Sequence, residues 1–221
     1  MLADIVIIQN RASSKQGPFM KCFVAGLVAL LPSVVIAHPY FPIIPGEVTV
    51  REYHFRVEGG MKGMPTAPVH GKMVSTVKGV EVREGKQFTR IATEYKDIPY
   101  QQNATEIWVR EEAGAVIMGA LHGEKFVETT LLPAEISVGS EWDYNDGEKS
   151  KRKVSRSLAL DVQGKRYDDC IEILRVLPKA GPSSATHKDY YCRDVGNVKF
   201  SFSMASPAGT YITENELSER R

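Results

Sequence analysis

Two cysteines constrain this chain more than any other feature. Cys170 and Cys192 stand equidistant from Gly181, inside the run Lys179-Ala180-Gly181-Pro182-Ser183-Ser184. An antiparallel hairpin turning at that Gly-Pro sets the two cysteines opposite each other, where a cross-strand pair brings Cα atoms within disulfide reach. The spacing therefore implies a hairpin, a structural disulfide and an oxidising compartment. Closing a loop of this size stabilises a fold by roughly 3 kcal/mol in the chain-entropy picture. A redox-active pair is more often spaced Cys-x-x-Cys beside a helix, a pattern absent here.

The third cysteine, Cys22, belongs to a segment with the shape of a secretory signal. Lys21 supplies a basic start, Cys22 to Ile36 form an apolar run, and Val35-Ile36-Ala37 ends in a small residue suited to signal peptidase. Cleavage is expected before His38, which makes 1–37 an N-terminal extension with signal peptide and 38–221 one mature domain. The run is shorter than the ~20 residues of a membrane-spanning helix and contains Pro32, so no membrane span is expected after processing. Cys22 precedes the apolar run, which argues against a lipid anchor. Met20 is a candidate start, because Leu2-Ala3-Asp4-Ile5-Val6-Ile7-Ile8 lacks a basic n-region. The expected location is periplasmic or secreted.

The chain has 28 basic and 27 acidic residues, and a leader carrying Arg11, Lys15 and Lys21 against Asp4 removes too little to disturb that balance. Near-neutrality argues against a nucleic-acid partner, which needs a basic face. The basic run Lys149, Lys151, Arg152, Lys153 and Arg156 follows Glu141, Asp143, Asp146 and Glu148. It reads as a solvated hairpin tip, with contact to anionic headgroups as the alternative.

From Gly46 onward the apolar pattern has a period near two. Val48 and Val50 open a strand that continues at Tyr53, Phe55 and Val57, and Met73 to Val77 and Val80 to Val82 form a ribbon bent at Gly79. Phe88 to Tyr95 follow a turn at Gly85-Lys86, and further turns fall at Glu112-Ala113-Gly114 and His122-Gly123. Strands are expected near 141–144, 154–162 and 167–176, then the cysteine hairpin, then a short strand around Thr210, Tyr211 and Ile212 with a frayed 214–221. Roughly ten strands and no long amphipathic helix give a mainly β fold, a single antiparallel sheet curled into a half-barrel. Gly79, Gly119, Gly139 and Gly164 are candidates for bends or bulges.

The second half carries Leu131-Leu132-Pro133, Val138-Gly139-Ser140-Glu141-Trp142, Gly164-Lys165-Arg166-Tyr167-Asp168-Asp169-Cys170 and Tyr190-Tyr191-Cys192-Arg193-Asp194-Val195-Gly196-Asn197-Val198-Lys199, in that order. It resembles a large group of exported bacterial proteins of unknown function whose domain is similar to the lipoprotein carriers LolA and LolB. The resemblance implies an antiparallel sheet curled into an unclosed barrel around an apolar cavity, and a habit of holding apolar chains. Asn197 stands where that group has an apolar residue. The carriers' cargo-handling residues have no counterpart here, so lipoprotein transport is not implied.

In a half-barrel the core and the cavity lining share one face, which makes Tyr53, Phe55, Phe88, Trp108, Phe126 and Trp142 the candidate ligand-binding residues; the plainer reading is core. The loop 59–71 is expected to close part of the cavity mouth. No Gly-x-Ser-x-Gly, His-Glu-x-x-His or phosphate loop occurs. Asp168 and Asp169 would point to opposite faces of a strand. No enzyme and no cofactor are expected. Met61, Met64, His70 and Met73 cluster in a Gly- and Pro-rich stretch whose thioether and imidazole groups suit Cu(I), with an N-terminal His38 as a second chelator; methionines capping an apolar cavity are the plainer account. The expected function is a non-enzymatic binding or carrier protein for a lipid or other apolar ligand. An envelope module that receives another protein is the alternative, and periplasmic copper binding the third reading.

Overall fold

The computed structural model describes residues 36–59, 65, 67–99, 103–145, 150–176 and 184–221. Residues 1–35 of the leader, Met61, Met64 and Gly181 lie outside them. Every regular element among the described residues is a strand. A first meander runs through β3 (Val48–Glu58), β4 (Val69–Arg83), β5 (Lys86–Lys96), β6 (Thr105–Glu112), β7 (Ala115–His122) and β8 (Lys125–Leu132). A second runs through β9 (Glu141–Tyr144), β10 (Ser150–Val162), β11 (Lys165–Val176), β12 (Ser184–Cys192), β13 (Gly196–Ser206) and β14 (Gly209–Arg220). Ahead of both lies a separate small hairpin of β1 (Ile36–His38) and β2 (Phe41–Ile43).

The two meanders make one 12-stranded antiparallel sheet because β14 pairs with β3. Among the described residues that ladder is the sole sequence-distant pairing in the sheet. The expected single curled sheet is therefore present, and it curls far enough to leave one open seam, between β8 and β9. Among the described residues two hydrogen bonds bridge the seam where no ladder does. Trp142 Nε1 donates to the Thr130 carbonyl at 3.1 Å, and the Asn145 N–H donates to Thr129 Oγ1 at 2.9 Å.

Turn chemistry explains the meanders. Glu84-Gly85, Ala113-Gly114 and Gln163-Gly164 each place two successive residues at positive φ, the two-residue turn whose twist matches that of paired strands. The register slips beside Gly79, as expected of a bulge. Gly119 acts differently, through close approach. A Cβ there would sit 2.1 Å from the Phe126 ring, so the missing side chain lets that ring lie on the backbone. Cys170 and Cys192 face each other in the β11–β12 ladder and are joined by a disulfide.

Cross-strand partners share a face, so the ladders sort the whole sheet into two faces. Val109, Val116, Leu131 and Leu132 from the first meander meet Val154, Ile171, Ile173 and Tyr191 from the second in one buried cluster. Residues from opposite halves of a curled sheet touch only across its interior, which makes this the concave face. Tyr40 and Ile43 of the small hairpin belong to the same cluster. The hairpin plugs one end of the barrel, held by Asp194 N–H donating to the Pro39 carbonyl at 2.7 Å and Tyr40 donating to Asp169 at 3.1 Å. His38 is buried there beside the Pro133 carbonyl at 3.2 Å.

The convex face carries ion pairs around its circumference, among them Lys72–Glu52, Arg90–Glu81, Arg110–Glu128, Arg156–Glu172 and Lys199–Glu216. A membrane-spanning barrel presents an outward apolar band in that place. Two expectations are corrected. The C-terminal residues do not fray, because β14 continues to Arg220 and Arg221 exchanges two backbone hydrogen bonds with Val48. The basic run is not wholly a solvated tip, because Arg152 points inward and is 4% exposed while Lys151 and Lys153 face solvent.

Replacing Trp142 by Phe keeps the ring and deletes the seam donor. The expected cost is about 1 kcal/mol, with faster amide exchange along β8 and unchanged exchange in β3 and β14. Unchanged exchange along β8 would show that the bridge does not hold the seam.

Candidate functional site

The concave face is apolar at the plugged end and charged along its middle. Asp189 on β12 is buried and sits 3.4 Å from Arg152 Nη2 on β10. His187 Nε2 lies 3.1 Å away. A carboxylate only accepts, so that ring nitrogen carries the hydrogen. Asn197 Nδ2 donates to the other carboxylate oxygen at 3.4 Å. Burial by itself would raise the Asp189 pKa, but Arg152, His187 and Arg51 outweigh it and hold the carboxyl below its ordinary range. The Arg152 guanidinium stacks 4.1 Å from the Tyr144 ring centroid, and its Nε and Nη1 find no acceptor among the described residues. Tyr191, buried beside it, is pushed up by desolvation.

From this network a path leads through Asn197 to Arg51 on β3. Arg51 Nη1 donates to Asn197 Oδ1 at 3.0 Å, and Nη2 donates to the Asn197 carbonyl. Asn197 thus joins Arg51 to Asp189, a link that an apolar side chain could not make. Arg51 lies deep in the barrel, yet part of its surface is open because it borders a cavity.

That cavity, of about 180 Å³, lies between the small hairpin and strands β3 to β6, β13 and β14. Phe41, Ile43, Val77, Ile91, Ile107 and Leu217 form its apolar wall, and Thr49, Arg51, Ser75, Thr93 and Asn197 its polar one. Glu47 also reaches it, held by Arg220 in a two-point pair with Arg220 Nη2 at 2.8 Å from Oε2.

The six aromatic candidates divide between the faces, and none lines this cavity. Tyr53, Phe55 and Trp142 lie on the concave face. Tyr53 and Phe55 extend away from the plugged end toward Tyr211 and Phe202, with Phe55 6.2 Å and Phe202 5.3 Å from the Tyr211 ring, while Trp142 serves the seam. Phe88, Trp108 and Phe126 lie on the convex face and pack edge to face at 5.4 and 5.7 Å. Trp108 is 1% exposed there because ions cover it: its Nε1 donates to Glu81 at 3.0 Å and Arg83 lies 4.5 Å over its ring. Of the copper candidates, His70 and Met73 turn to opposite faces of β4. His70 Nδ1 meets His54 Nδ1 at 2.8 Å on the convex side, and Met73 faces Arg51 across the β3–β4 ladder. Among the described residues no group of three or more His, Cys, Asp or Glu is placed to hold a metal ion.

No family model and no curated protein matches the chain. Among solved structures it is similar to a candidate lipoprotein of Parabacteroides distasonis ATCC 8503, at 15% identity and a TM-score of 0.47 over 82% of this chain and 98% of that one. A candidate exported protein with a YmcC-like fold from Bacteroides fragilis NCTC 9343 gives 12% identity and 0.47 over the same shares. A DUF1329 family protein of Desulfovibrio piger ATCC 29098 gives 13% identity and 0.23, covering 79% and 84%. Likenesses of this size assign neither family nor activity, and none of the three is described as a LolA or LolB carrier.

Asp189 supplies the prediction. A carboxyl whose folded pKa is depressed contributes stability above its unfolded pKa of about 3.9 and loses it as pH falls through the folded value. Asp189→Asn should cost roughly 3–5 kcal/mol at neutral pH by stranding Arg152. The variant's stability should then fall less steeply with acid than that of the parent. Denaturant titrations across the acid range measure both, and a variant within about 1 kcal/mol of the parent at neutral pH would contradict the reading.

Proposed function

We propose that this chain is a non-enzymatic binding or carrier protein of the bacterial envelope that holds a small apolar molecule inside its barrel. The observation that supports this is the cavity left between the plugging hairpin and β3 to β6. Its apolar wall comes from five separate strands, β2, β4, β5, β6 and β14. The apolar wall left facing this space is unmet hydrophobic surface, worth roughly 25 cal/mol per Å² if covered, and a ligand would recover part of that.

Size limits the ligand. A cavity of about 150 Å³ holds a benzene-sized molecule, so the space beside Ile91 takes one ring or a short chain. A full acyl chain enters only if the hairpin 36–43 withdraws. A second reading, an envelope module that receives a segment of another protein, draws on the half-buried Tyr53, Phe55, Phe202 and Tyr211 at the end away from the hairpin.

Titration with toluene or indole, followed by NMR, should shift Ile43, Val77, Ile91 and Ile107. Ile91→Phe should fill the space and abolish those shifts without loss of fold. Shifts confined to residues near Phe55 and Tyr211 would favour the second reading, and no shifts at all would remove the ligand-binding proposal.

A further inference from the structure

The polar wall of the cavity is built as a unit. Thr49, Ser75 and Thr93 stand in one cross-strand row on β3, β4 and β5. Ser75 Oγ and Thr93 Oγ1 are 2.8 Å apart. One hydroxyl gives its hydrogen to the other, which keeps its own hydrogen to donate. Arg51 follows Thr49 on the same face of β3, and its guanidinium donates to the two neutral oxygens of Asn197. The neighbouring carboxylates are already engaged: Glu47 by Arg220, and Asp189 by Arg152 and His187. Among the described residues no carboxylate stands within ion-pair distance of Arg51. Burial lowers its pKa, against the opposing pull of Tyr191 and Asp189.

A deep guanidinium with no carboxylate in direct contact, its charge answered only at a distance by Asp189, beside a row of hydroxyls and opposite an apolar wall, is complementary to one kind of molecule. We infer that the cavity takes a small carboxylate about the size of benzoate, its head on Arg51 and the Thr49–Ser75–Thr93 row and its apolar body against Val77, Ile91, Ile107 and Leu217. This rests on the binding reading above and specifies its ligand class. Charge-assisted hydrogen bonds to a guanidinium are about twice as strong as neutral ones, so the acid is favoured over its neutral analogue.

The test compares benzoate with benzyl alcohol, a similar body without the charge, on the intact protein at fixed neutral pH and ionic strength. Benzoate should bind at least about tenfold more tightly, with NMR shifts at Arg51, Ser75 and Ile91. Arg51→Met should erase the preference while benzyl alcohol binding persists. Ser75→Ala, which leaves the Arg51–Asn197 contact intact, should weaken benzoate by several-fold and benzyl alcohol, whose hydroxyl makes only a neutral bond, by less. If Arg51→Met does not fold, the wild-type ligand comparison and Ser75→Ala decide the matter. Equal affinity for the two ligands overturns this inference and leaves the apolar reading standing, whereas binding of neither overturns both.

Discussion

Among the described residues the twelve antiparallel strands have no helical layer against them, so the sheet has to cover its own apolar face, and it does so by curling. Everything else in this fold follows from how that curl is completed. Pairing of β3 with β14 joins two meanders that each form from local hairpins, so the ends of the domain are tied together at the middle of the sheet. The edges, β8 and β9, are left to meet without a ladder. An unpaired edge invites association with other chains, and here one edge strand is only four residues long while Trp142 and Asn145 bridge the gap.

Curling alone leaves the ends open. The small hairpin closes one of them with Tyr40 and Ile43 and fixes itself through Pro39, His38 and Tyr40 to three separate parts of the barrel. Its fit is incomplete along β3 to β6, and the cavity is what remains. The charged layer beneath it has a separate origin. Burying Asp189 is tolerable only because Arg152, His187 and Asn197 reach it, and the second guanidinium in reach, Arg51, is left with neutral partners facing the cavity. Packing and electrostatics thus converge on the same few residues.

Much of this was legible in the sequence. The symmetry of Cys170 and Cys192 about Gly181 defines a ladder, and Gly85-Lys86 and Glu112-Ala113-Gly114 mark turns, whereas Gly164, expected as a bend or bulge, sits in the two-residue turn Gln163-Gly164. Reading an aromatic as inward fails where both faces are covered: Phe88 and Trp108 are sealed on the convex side by Arg83, Arg110 and Glu81, a layer drawn from more than one strand. The cavity left a fainter trace. The apolar phase of β3 slips between Val50 and Tyr53 although its ladder with β4 runs without a bulge, so Thr49 and Arg51 had to face inward. Charge at 214–221 reads as a frayed terminus, but Arg220 pairs with Glu47 and the strand continues.

Ligand binding of the kind proposed depends on a preformed apolar space between the hairpin and the barrel wall. Xenon, which settles against apolar walls without needing polar partners, probes the apolar side of that space directly. Under xenon pressure the methyl resonances of Ile43, Val77, Ile91, Ile107 and Leu217 should shift together and saturably. Methyl groups unperturbed there, or perturbed instead around Phe88 and Phe126, would contradict it.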